Sequence, residues 1–75
     1  MRTTTEIKFY KGYSNIPKGE YFYLKEFMAD RQAIIPRKNE SVIILSTQYV
    51  VLDIATEYAP HGGVVVHVIT KPYSH

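Results

Sequence analysis

Cysteine is absent from this 75-residue chain, which rules out a disulfide framework, a thiolate metal site and a thiol nucleophile. Charge of one sign is scarce as well. Nine Lys and Arg stand against seven Asp and Glu for a formal net charge of +2, and the two signs are interspersed, a balance too mild to demand nucleic acid. No apolar run approaches the roughly 20 residues that a bilayer-spanning helix requires. Glu6 and Lys8 fall where the apolar part of a secretory signal would have to begin. A cytoplasmic protein without membrane contact is therefore expected. Lys18-Gly19 and Gly62-Gly63 stand alone and neither opens a helix, so no phosphate-cradling loop is formed. The length allows one domain, residues 1–75, near the size at which a single core leaves little stability after chain entropy.

What the chain does have is β pattern. Residues 3–11 alternate, with Thr5, Ile7 and Phe9 on one face and Thr4, Glu6 and Lys8 on the other, which predicts a half-buried strand. Residues 12–19 carry Ser14, Asn15, Pro17 and Lys18 without any period and read as a loop. Aromatics at Tyr21, Phe22 and Tyr23 favour a strand over 21–28, while Leu24, Phe27, Met28 and Arg31 fall at helical spacing, so a short helix over 24–32 is the alternative. Pro36 cannot donate to a ladder and restricts Ile35 to extended geometry, which predicts a strand end and a surface turn over 36–41. Strands are predicted over 42–45 and 49–54, joined by a three-residue hairpin loop Ser46-Thr47-Gln48, and a last strand over 64–69 follows a loop at 57–63. Asn39-Glu40-Ser41 matches the glycosylation pattern and is read as coincidence.

Five or six short strands close most economically as a small antiparallel barrel, because closure removes unpaired edges. Gly19-Glu20-Tyr21-Phe22, Ile34-Ile35-Pro36-Arg37 with Glu40 and Val42, then Leu45, Tyr49-Val50-Val51 and the closing valine strand together resemble the small SH3-like β proteins found among accessory genes of bacteriophages and their bacterial hosts. The resemblance spans residues 19–69. It implies a mainly β fold, a five- or six-stranded antiparallel SH3-like barrel, and a role in binding or host-factor inhibition. It carries no functional residue across.

No local pattern unites a nucleophile with a base. The expectation is a non-catalytic binding protein, with no cofactor and no metal. His67 shares a face with Val65 and Ile69 and could reach a metal with Asp53 or Glu57, but the spacing is not diagnostic and a hydrogen-bonded strand histidine is preferred. Seven tyrosines are the more suggestive feature, since each joins a rigid ring to a polar tip. The candidate contact residues are Tyr10, Tyr13, Tyr21, Tyr23 and Tyr49, with Arg31, Arg37, Lys38 and the loop histidine His61. In residues 42–45 and 49–52 both alternate faces are apolar, so something must cover the outer one. A protein partner and homo-oligomer formation are expected. The alternative is a nucleic-acid-binding barrel that stacks bases on tyrosines beside a basic groove. A third reading, a small ribonuclease-like toxin, would assemble Arg31, Arg37, Glu40 and His61 around a phosphate.

Overall fold

Alternation along Thr5–Lys11 (β1) sends Ile7 and Phe9 to one face, and both are buried there. In the computed structural model, four further strands complete one sheet: Tyr23–Phe27 (β2), Ser41–Ile44 (β3), Thr47–Tyr58 (β4) and Val64–Pro72 (β5). The structure describes residues 4–12, 21–28, 34–60 and 62–74. The strand order is β2-β1-β5-β4-β3. The chain is mainly β, and among the described residues no helix is present and none is long and apolar enough to cross a membrane. Residues 24–27 lie in β2, which answers the strand-or-helix ambiguity there in favour of the strand.

β5 occupies the middle of the sheet. Val64, Val66 and Val68 look to the core, while Val65, His67 and Ile69 look the other way, so a nearly unbroken apolar run suits a strand flanked and covered on both sides. Its pairing with β1 is parallel, Ile7 beside Val66 and Phe9 beside Val68. This corrects the expected all-antiparallel barrel: the sheet is mixed. A parallel pair needs a long crossover, and residues 12–63, with three strands of their own, provide it.

The sheet curls nearly into a barrel. Phe22, beside edge strand β2, lies 5.0 Å from the ring of Tyr49 on β4, although three strand-to-strand steps separate these strands in the sheet. Flat, those steps would span about 14 Å. Ile7, Phe9, Ile44, Tyr49, Val51, Val66 and Val68 fill the interior, with Phe22, Tyr23, Phe27, Val42, Ile54 and Val64 packed against them. A bulge at Leu52 inserts one residue between the pairs Val51/Thr70 and Asp53/Ile69. That shift of parity lets Val51 and Ile54, three apart in sequence, both face the core, and it turns Asp53 outward.

Two turns set the register of β3. Glu40 donates its amide to the Arg37 carbonyl, and Asn39 adopts φ 74, the sign a type II turn requires at its third position. The amide of Asn39 donates to the Val51 carbonyl while Val51 donates to the carbonyl of Glu40, so Asn39 and Glu40 together oppose one residue, a bulge that opens the strand. The Glu40 carboxylate also accepts from the amide of Arg37 at 2.8 Å. Asparagine at position 39 thus has a backbone reason to be there.

At the other end, Ile44 pairs with Thr47, so the β3–β4 hairpin turns on Leu45-Ser46. The expected three-residue loop over 46–48 is corrected to a two-residue one. Leu45 and Ser46 both take positive φ, 50 and 70, the pattern that normally selects Asn-Gly because other side chains crowd the backbone there. Installing Leu45→Asn with Ser46→Gly is expected to raise stability by about 1 kcal/mol, read as a higher urea midpoint with an unchanged slope. The loop expected at 57–63 is shorter as well, since β4 runs on to Tyr58 and Ala59 donates to the Gly63 carbonyl. Gly62, at φ 95, supplies the left-handed residue that this hairpin needs.

Candidate functional site

Two features stand apart from the apolar interior. The first lies on the outer face of the sheet. Tyr10 of β1 and His67 of β5 are 3 % and 4 % exposed, and the Tyr10 hydroxyl stands 2.7 Å from His67 Nδ1. His67 Nε2 lies 2.8 Å from Oε1 of Glu57 on β4, which reaches in from a largely exposed position. A carboxylate only accepts, so Nε2 carries a proton, and in the neutral ring Nδ1 accepts from the tyrosine. Three strands are tied by one polar chain, and Thr70 adds a bond from its hydroxyl to the Tyr10 carbonyl at 2.9 Å.

Both nitrogens of His67 are therefore engaged, and the ring is a hydrogen-bonded strand histidine. The carboxylate of Asp53 accepts from the amide of Ile54 instead. Sequence reasoning placed Glu57 and His67 near one another but missed Tyr10, 57 residues from His67, because only the parallel β1–β5 pairing brings them together. Its one visible signal is that Tyr10 falls out of phase with Ile7 and Phe9.

Burial pushes the Tyr10 phenol above its ordinary value of 10.0, with smaller upward pushes from the Glu57 charge and from Tyr21. The folded chain thus holds this proton more tightly than the unfolded chain does. Its contribution to stability is complete below pH 10.0 and is lost as pH rises beyond it. Tyr10→Phe is expected to flatten the fall in stability between about pH 9 and 11 relative to the unmodified chain, followed by urea titration at each pH. Equal slopes for both proteins would refute it.

The nine contact residues expected from the sequence do not form one surface. Tyr10 is enclosed in the polar chain just described, and Tyr49 is a core residue with its ring tilted against Phe22, so both rings are buried. Tyr23 is half-buried with its ring 5.8 Å from Phe9. Tyr21 is exposed, but Lys8 Nζ sits 5.1 Å from its ring centre. Lys11 lies over Phe22 at 5.1 Å and Tyr49 at 6.0 Å, and Lys25 over Phe27 at 5.8 Å. Arg37 and Lys38 are exposed on the turn that enters β3. Tyr13, Arg31 and His61 lie outside the described residues.

The second feature is the edge of β3, which no strand pairs among the described residues. Ile44/Thr47 flanks a two-residue turn and so exchanges hydrogen bonds, and Val42/Tyr49, two residues on, does the same. Ser41 and Ile43 consequently point their amides and carbonyls away from β4. On this edge Ile43 is 73 % exposed and the adjoining Leu45 77 %. Residues 41–45 read Ser-Val-Ile-Ile-Leu, without a charge. The opposite edge, β2, exposes Lys25 and Glu26, the usual protection against unwanted strand pairing. Comparison with known proteins finds no family model, no curated protein and no solved structure that matches this chain.

Proposed function

We propose that this protein is a non-catalytic protein-binding module that acts as a homo-oligomer and makes its contacts through the β3 edge. We place it among small SH3-like accessory or inhibitor proteins of the kind carried by phages and their bacterial hosts. The observation that carries the reading is Leu45. A leucine there is solvated, and its φ of 50 lies in a region that favours glycine or asparagine. Neither burial nor backbone preference accounts for it. A partner that covers the side chain does, and residues that break a local rule without a folding reason concentrate at functional sites. Ile43 beside it and the outward amides of an uncharged edge supply the rest of a strand-addition surface. The nearly closed five-stranded sheet supports SH3-like kinship, and the parallel β1–β5 pair is the departure which that kinship has to accommodate.

The nucleic-acid reading draws less support. Tyr10 and Tyr49 are buried, and the lysines that would track phosphates already lie over aromatic rings of the same chain.

A photoreactive benzophenone side chain introduced at position 43 tests the proposal in the cell that makes the protein. Irradiation is expected to yield a covalent protein adduct, and the same probe at Lys25 on the β2 edge is expected to yield none. If position 43 gives no adduct, or both positions react alike, the proposal fails.

A further inference from the structure

We propose that the occupant of the β3 edge is a second copy of this chain, the two β3 strands pairing antiparallel about a two-fold axis through Ile43. This rests on the reading of β3 as the contact edge and names its partner. An isologous contact sets each residue near the axis against itself, so any charge placed there repels its own copy. Residues 41–45 carry none, whereas the β2 edge, with Lys25 and Glu26 exposed, is unsuited to meeting itself. The β3 edge is self-complementary in charge.

The hydrogen-bonding parity agrees. Ser41 and Ile43 direct their backbone groups outward, so with the axis at Ile43 that residue exchanges both bonds with its copy. Ser41 then lies beside Leu45 of the second copy, and both exposed apolar side chains are covered. An axis one residue earlier, at Val42, would draw Glu40 into the paired segment opposite the second copy's Ile44 and leave Leu45 beyond its end. The Ile43 axis keeps the carboxylate out and the leucine in. So short a pairing buries less than a standard interface, and self-association on the order of 10 to 100 µM is expected.

Sedimentation equilibrium of the purified full chain, up to about ten times that concentration, tests this. The unmodified protein is expected to show a monomer–dimer equilibrium. Ile43→Lys and Ile43→Asp, which alter an exposed side chain, are each expected to keep the β-sheet circular dichroism and to weaken association at least about tenfold. Mixed in equal amounts they are expected to recover the dimer, since lysine then faces aspartate across the axis, and to lose it again in high salt. A monomer at every concentration, or dimers that Ile43→Lys leaves intact, would overturn the second-copy proposal. Monomeric protein together with a position-43 adduct to a different protein overturns it, along with the homo-oligomer part of the proposed function, and leaves the protein-binding part standing. Absence of any adduct removes both.

Discussion

Ile7→Ala is expected to lower the unfolding free energy by about 3 kcal/mol, within the range for large-to-small changes in packed interiors. Ile7 is 1 % exposed and sits on β1 beside Val66 of β5, two strands that no short turn holds together. Alanine there removes apolar surface from the pair that joins the two halves of the sheet and leaves a cavity which neighbouring strands cannot easily close. For a chain of this length total stability is about 4 to 11 kcal/mol, so the loss is a large share of the whole. Urea unfolding followed by circular dichroism should show the midpoint move sharply downward with its slope preserved. A shift under about 0.5 kcal/mol would mean that the β1–β5 seam is not the packed centre of the molecule.

The second large effect concerns the polar chain on the outer face. His67→Ala removes a buried ring and strands the Tyr10 hydroxyl without its acceptor, with an expected loss of about 3 kcal/mol from cavity and desolvation together. Tyr10→Phe leaves Nδ1 of His67 unpartnered and should lower stability by about 1 to 2 kcal/mol. Replacing both, Tyr10→Phe with His67→Leu, removes donor and acceptor at once and should be less damaging than the sum of the single changes Tyr10→Phe and His67→Leu. The coupling expected from this cycle is on the order of 1 kcal/mol. Strict additivity would show that the 2.7 Å contact contributes nothing in solution.

Much of the strand content was legible because it rests on local pattern. Alternation at Ile7 and Phe9, the run at Val42 to Ile44 and the valines of β5 each announce an extended segment. The pairing was not legible. Both faces of β5 are apolar, so nothing in its own residues states which strand flanks it or in which direction, and the parallel β1 contact depends on contacts far apart in sequence. The β3–β4 turn is not legible in the sequence, because Leu45-Ser46 has no turn signature and Leu45 reads as an apolar strand residue. The site was the least legible part. Tyrosine serves equally in cores and at surfaces, so composition alone could not tell that Tyr10 and Tyr49 are buried while Ile43 and Leu45 are exposed.

Amide hydrogen exchange within β3, measured across a range of protein concentrations, bears most directly on whether this edge is an interface. Val42 and Ile44 bond to β4 and should be protected at every concentration. Ser41 and Ile43, whose amides point away from β4, should exchange quickly in dilute solution and become protected as concentration rises through the association range. Rapid exchange at Ser41 and Ile43 at all concentrations, with Val42 and Ile44 protected throughout, would contradict self-pairing of this edge.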